Sequence, residues 1–175
     1  MASAPPSTDA TLIPLDQVDA DLVEQVLDEA FGPDRHARTA YRVRTGMDYL
    51  RALSFAALDA EDLLAGTIQA WPVALTDPDG RAHPMVMVGP VAVLPQRQDQ
   101  GFGRAMMWAQ IAALGRNPLP QVLIGDPDYY EAFGYSNAPT GEWLLPGPFE
   151  RHRLLVRCAS PAVLPRAGML GPWIG

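Results

Sequence analysis

From Val18 to Phe31 the apolar residues Val18, Leu22, Val23, Val26, Leu27 and Ala30 recur at helical spacing, and Gly32-Pro33 stops the run. That pattern predicts an amphipathic helix. A second helical pattern covers Ala37 to Leu53, with Tyr41, Met47 and Leu50 set among arginines and Gly46 interrupting it. The runs Ser54 to Leu58 and Leu63 to Leu75 are apolar or β-branched enough for strands, joined by the acidic turn Asp59-Ala60-Glu61-Asp62. Asp77-Pro78-Asp79-Gly80 is a strong turn signal, so the strand around Ile68 is expected to form a hairpin with one starting near His83. The result is a three-strand antiparallel meander. Met85 to Leu94 is almost wholly apolar and reads as a central strand, yet it contains Gly89-Pro90, and proline has no N–H to give a ladder. A bulge there resolves the conflict.

Beyond Leu94-Pro95 a polar, glycine-punctuated turn leads into a helix from about Gly103 to Leu114, ended by Gly115 and Asn117-Pro118. Gln121 to Gly125 reads as a short buried strand. Asp126-Pro127 has the form of an N-cap followed by proline at the first helical position, opening a short helix through Phe133 that Gly134 terminates. Leu154 to Cys158 is one clear strand in a Pro- and Gly-rich remainder, and the last fifteen residues carry no assignable pattern. Residues 1–10, rich in Ala, Ser and Pro, read as a tail, which leaves 11–175 as a single domain.

Composition narrows the partners. A formal net charge of -7 disfavours nucleic acid and anionic membrane, because neutralising phosphates needs clustered cations. No apolar run approaches the roughly 18 residues of a membrane span, and residues 1–10 lack a basic region followed by an apolar one. All thirteen cations are arginine. The single Cys158 cannot form an intramolecular disulfide and suits a reducing compartment, so the protein is expected in the cytoplasm, with a homo-oligomer left open.

The strand, glycine turn and helix at residues 85–114 suit a phosphate ligand, since a helix start presents unpaired N–H groups and the positive end of its dipole. Gly101 and Gly103 let a ligand approach the backbone. Two glycines before a helix are also common without any ligand. A Walker loop would need Gly-Lys-Ser or Gly-Lys-Thr, and the chain has no lysine. A dinucleotide fingerprint would need glycine or alanine where Met106 stands, and the antiparallel meander upstream is the wrong architecture for it.

Val91-Ala92-Val93-Leu94-Pro95 followed by Gln98-Asp99-Gln100-Gly101-Phe102-Gly103-Arg104-Ala105 resembles the acetyl-CoA signature of GNAT acetyltransferases, Gln/Arg-x-x-Gly-x-Gly/Ala after a strand. Further on, Tyr130-Glu131-Ala132-Phe133-Gly134-Tyr135 resembles the family's second signature, with tyrosine in place of the final phenylalanine. The resemblance implies an α/β (α+β) fold whose mixed, mostly antiparallel sheet is flanked by helices and splayed at the bulged strand. It also implies acetyl-CoA as acyl donor, a primary amine of a small molecule or peptide as acceptor, and no metal. By the same resemblance the backbone of Val91 and Val93 would bond the thioester carbonyl and pantetheine amides. Amides of Gln98, Asp99, Gln100, Gly101, Phe102, Gly103 and Arg104 would hold the pyrophosphate.

Amine attack on a thioester benefits from protonation of the departing thiolate. Tyr130 occupies the family's general-acid position, and a phenol of ordinary pKa near 10 keeps its proton at neutral pH. Packing against Phe133 is the competing role for that ring. Relatives often carry a base on the bulged strand, but Met85 to Leu94 has no titratable side chain. His83, Asp126, Glu142 and His152 are remaining proton acceptors, each with a blander role at a strand end, cap, surface or loop. Arg35, Arg38, Arg42, Arg44 and Arg51 cluster with His36 in the second helical region, as a solvated face or as contacts to an anionic acceptor or to the nucleotide end of CoA. The missing base keeps a second class open, a non-catalytic acyl-CoA-binding sensor or interaction module of the same fold.

Overall fold

The computed structural model describes residues 9–174, so the expected tail lies outside the described residues apart from Asp9 and Ala10. Strand β1 (Thr11–Pro14) comes first and was not expected as a strand. Helix α1 (Ala20–Phe31) then opens where its periodicity begins, because the Asp19 side chain accepts from the Asp21 N–H, and it closes at Gly32, whose φ is 91°. Strands β2 (Phe55–Leu58), β3 (Leu64–Thr76) and β4 (Ala82–Val93) follow. Their turns use the predicted chemistry: Asp59 Oδ1 accepts from the N–H groups of Glu61 and Leu63, and Asp77 Oδ1 from those of Asp79 and Arg81. Strand β4 runs on through Gly89-Pro90, with Gly89 at φ 127° and a cis peptide before Pro90.

The second predicted helix is mostly absent. Only α2 (Thr39–Val43) is α-helical there, with single 3-10 turns at Arg35–Ala37 and Arg51–Leu53. Gly46 at φ 79° breaks the pattern, the Thr45 hydroxyl donates to the Arg42 carbonyl, and Leu50 instead donates to the Ala70 carbonyl of β3. Tertiary pairing thus overrides a weak local period.

Helix α3 (Phe102–Leu114), strand β5 (Gln121–Ile124) and helix α4 (Pro127–Tyr130) keep close to their predicted places. Strands β6 (Glu142–Leu144), β7 (Leu154–Arg157) and β8 (Ala167–Pro172) complete a mixed, mostly antiparallel eight-stranded sheet of order β1-β2-β3-β4-β5-β7, with β8 on β3 and β6 on β8. Strand β3 pairs with β2 from Leu64 to Ile68 and with β8 from Val73 to Thr76.

The chain forms two compact units. In the first, Leu15, Val23, Val26, Leu27, Ala56 and Ala92 make the core beneath α1. Alternation along β2 and β3 turns Ala57 and Gly66 to the opposite face, where a Cβ on Gly66 would meet Met106 of α3 at 3.0 Å. Helix α3 is fixed there through Gln110, whose buried amide donates to the Leu53 carbonyl at 2.8 Å. In the second unit, Val73, Leu75, Met85, Met87, Val122, Trp143, Leu154, Val156 and Leu170 form the core, and Val43 of α2 joins them. The parallel ladder of β4 with β5 contains Val86↔Gln121 and Met87↔Val122, while β5 is antiparallel to β7 along its whole length.

Candidate active site

The glycine turn belongs to the first unit. A 3-10 turn at Pro95–Arg97 leaves β4, Gln98 is extended, Asp99 takes φ 63° and Gly101 φ 88°. Gly101 is therefore required at its position, since a left-handed N-cap favours a residue without Cβ. Helix α3 starts at Phe102 with no side-chain cap and no acidic residue in its first turn. A helix start of this kind presents N–H groups and the positive end of the helix dipole, features that suit an anion. Phe102 is buried and anchors the helix start, whereas Gln98, Asp99, Gln100 and Arg104 are exposed and Gly101 and Gly103 are half-buried. The glycine residues, the polar turn and Arg104 lie together in one short segment.

Arg97 stands at the start of this turn and is ion-paired to Asp59 of the β2–β3 turn. Asp59 is buried, and its carboxyl is held below the usual range by the Leu63 N–H, with the Glu61 N–H and the Arg97 guanidinium adding to the effect against the opposing cost of burial. Arg97, half-buried, is therefore held by a protein carboxylate. On β4, Val91 and Val93 are half-buried on either side of Ala92, which points into the core beneath α1.

Tyr130 belongs to the second unit, at the end of α4. Asp126 caps that helix by accepting from the Asp128 N–H at 3.0 Å, Pro127 follows, and Gly134 at φ 92° stops the 3-10 continuation Glu131–Phe133. Arg157 of β7 secures this end, donating from Nε to the Phe133 carbonyl at 2.9 Å and from Nη1 to Gln121 Oε1 at 2.8 Å. The Tyr130 ring sits among Tyr129, Phe133 and Tyr135, with centroids 4.8, 6.4 and 6.1 Å away. Burial pushes its phenol well above the ordinary tyrosine range, with neighbouring Tyr129 and Asp126 adding and Arg153 opposing. The hydroxyl accordingly carries its proton throughout the neutral range. The ring does pack with Phe133, so packing and chemistry are compatible roles for one side chain.

The other proton acceptors take their blander places. His83 bonds Asp77 at 2.9 Å, Asp126 is the cap, Glu142 pairs with exposed Arg166 at 2.6 Å, and His152 lies 3.7 Å from Glu150 on the surface. The arginine cluster is not the uniform solvated face that its helical pattern suggested. Arg35 is buried against Glu24 and Asp28 of α1. Buried Arg44 lies 4.1 Å from the Tyr41 ring centroid and 3.7 Å from that of Trp71. Arg42 is exposed and donates to the Pro146 carbonyl at 3.3 Å. Two residues that the sequence does not connect with this region are Asp59, legible there only as a turn residue, which holds Arg97, and Arg157, which holds the end of the Tyr130 segment. Among the described residues no group of three or more His, Cys, Asp or Glu side chains is arranged to hold a metal ion, and no helix is long and apolar enough to cross a membrane.

The helix start behind left-handed Gly101 lies next to a mixed, mostly antiparallel eight-stranded sheet, an α/β arrangement with helices flanking the sheet. Residues 12–138 match the family model described as an acetyltransferase (GNAT) domain, and the chain belongs to the GNAT acetyltransferase family. Among solved structures, the GNAT family N-acetyltransferase YhbS from Escherichia coli in complex with CoA superposes with a TM-score of 0.73 at 21% identity, over 98% of this chain and 93% of that one. A GNAT family acetyltransferase from Brucella melitensis in complex with acetyl-CoA gives a TM-score of 0.55 at 24% identity, over 88% and 99%. A histone acetyltransferase HPA2 and related acetyltransferase from Corynebacterium glutamicum gives 0.54 at 19%, over 85% and 94%. At these identities the likeness is one of fold. No curated protein matches the chain.

Proposed function

We propose that the protein is an N-acetyltransferase that moves the acetyl group of acetyl-CoA directly to a primary amine of a small molecule or peptide. The observation that carries this reading is the uncapped start of α3 behind left-handed Gly101, in a chain of the GNAT family. The two neighbours whose structures hold CoA or acetyl-CoA support the choice of donor. The first-turn amides and those of the turn from Gln98 to Arg104 would bind the pyrophosphate, and Arg104 would add charge. The backbone of Val91 and Val93 would hold the pantetheine arm and the thioester carbonyl, where fixed donors favour the oxyanion that develops on attack.

In the transfer itself the neutral amine attacks the carbonyl carbon, a C–N bond forms and the C–S bond breaks. Tyr130 gives its proton to the departing sulfur, and the proton of the new ammonium centre leaves through water, since Met85 to Leu94 offers no side chain to take it. The phenolate is re-protonated from solvent. We place the reaction in the cytoplasm, where acetyl-CoA and a reducing environment suit a chain with one cysteine, and treat residues 11–175 as one working domain.

The test is to incubate the protein with acetyl-CoA and a panel of amines, with or without a carboxylate or phosphate, while following free thiol. Acceptor-dependent thiol release is expected. Calorimetric binding of acetyl-CoA with no thiol release for any amine would instead support a sensor or interaction module of the same fold, the reading that the base-free strand favours.

A further inference from the structure

Gly125 has no backbone reason to be glycine. It follows β5 and precedes the Asp126 cap, its φ lies outside the left-handed range, and its N–H donates to the Arg153 carbonyl at 2.9 Å. What occupies the space of the missing side chain is Tyr130. A Cβ on residue 125 would fall 2.9 Å from Tyr130 Cδ2 and closer still to Cε2, with Leu123 Cδ1 next at 3.2 Å. Real Cβ atoms essentially never approach within 3.0 Å, so the tyrosine ring and any larger residue at 125 exclude each other in this geometry.

The remaining sides of the ring are equally defined. Tyr129 meets it edge-on at 89° and Tyr135 at 70°, while Arg157 fixes the segment between them through the Phe133 carbonyl. Tyrosine has only two side-chain torsions, so walls on several sides leave the phenol one direction to point. No hydrogen bond to the Tyr130 hydroxyl is seen among the described residues. The hydroxyl is thus aimed by packing alone, and the aim depends on the empty place at 125.

We infer that Gly125 is a positioning residue for the acetyl transfer, its missing side chain setting the angle at which the Tyr130 hydroxyl reaches the departing thiolate. This rests on the assignment of Tyr130 as the acid. A methyl group at 125 displaces the ring without removing its hydroxyl, so it separates aim from chemistry.

The test compares the native protein, Gly125→Ala, Tyr130→Phe and the double variant, measuring kcat and, by calorimetry, acetyl-CoA affinity. Gly125→Ala is expected to lower kcat by roughly 10- to 10²-fold, the scale of a misplacement near 1 Å. Affinity for acetyl-CoA should stay within about twofold, as for an interaction made only in the transition state. In the Tyr130→Phe background Gly125→Ala should lower kcat no further, because the group it misaims is gone. Equal losses in both backgrounds, or a Gly125→Ala enzyme with native kcat beside an impaired Tyr130→Phe enzyme, would overturn the positioning role and leave the acid assignment standing. A Tyr130→Phe enzyme with native kcat would overturn the acid assignment itself. Should Gly125→Ala fail to fold in a thermal melt, Tyr129→Leu removes the edge-on wall at a residue 38% exposed, and the same non-additivity with Tyr130→Phe is expected, additive losses counting against the inference.

Discussion

Thr67 shows what a single buried hydroxyl costs when nothing answers it. It is fully buried on β3, pairs across the sheet with Ala56 on the face that α1 covers, and its Oγ1 has no hydrogen-bond partner. Leaving such a group unsatisfied costs about 1–3 kcal/mol, while valine fills nearly the same shape without the penalty. Thr67→Val should therefore raise stability by about 1 kcal/mol in urea unfolding at unchanged m-value. A loss of similar size would mean that the hydroxyl is satisfied after all. Asp59 is the opposite case, a buried carboxylate whose two oxygens are answered by the Glu61 and Leu63 amides and by Arg97. Tyr130 lies between these extremes, with its ring fixed on several sides and its hydroxyl left without a protein partner among the described residues.

At the scale of elements, α3 and the turn before it are where local sequence and proposed function coincide. Gly103 is half-buried in the first turn of α3, so valine there adds an isopropyl group where a pyrophosphate would lie against the amides. Gly103→Val is expected to weaken calorimetric acetyl-CoA binding by at least about tenfold while the melting temperature moves little, since β-branched residues are tolerated in a first helical turn at a few tenths of a kcal/mol. Unchanged affinity in the folded variant would remove this segment from the donor site. The same segment was legible in the sequence because its information is local: apolar period, glycine, then helix. So were α1, with Asp19 ahead of it and Gly32 after it, and the turns at Asp59 and Asp77, whose side chains bond their own backbone. What was not legible depends on distant partners. The pattern from Ala37 to Leu53 has a helical period, yet Leu50 pairs with Ala70 and Arg44 stacks on Trp71. Strand β8 is rich in Gly and Pro and exists because β3 and β6 offer it two edges. Gly125 looked like the end of a strand, and only the placement of Tyr130 shows what its bareness accommodates.

For the whole molecule, acid sets two opposing trends against each other. The chain carries a net charge of -7 at neutral pH and a sequence pI near 4.8, so lowering the pH toward that value reduces self-repulsion and favours the folded state. Asp59 and Asp77 work the other way. Asp59 is held below the ordinary carboxyl range chiefly by the Leu63 N–H, and Asp77 chiefly by its bond from His83 and then by the Arg81 N–H. Because their folded pKa values lie below the unfolded value of about 3.9, the unfolded chain takes up protons first as pH falls. The stability they contribute is complete above that value and is lost as pH drops through their folded pKa values. The melting temperature is therefore expected to stay level or rise slightly from pH 7 to about 5, and then to fall steeply below about 4. Asp59→Asn separates the two trends, since asparagine keeps an oxygen for the Glu61 and Leu63 amides but loses the charge that faces Arg97. Its melting temperature should lie below the native one at neutral pH, and the two curves should converge in acid, where the native Asp59 is itself protonated. Curves that run parallel down to the lowest pH would show that Asp59 does not titrate with folding, and the acid limb would then belong to Asp77 and the remaining carboxylates.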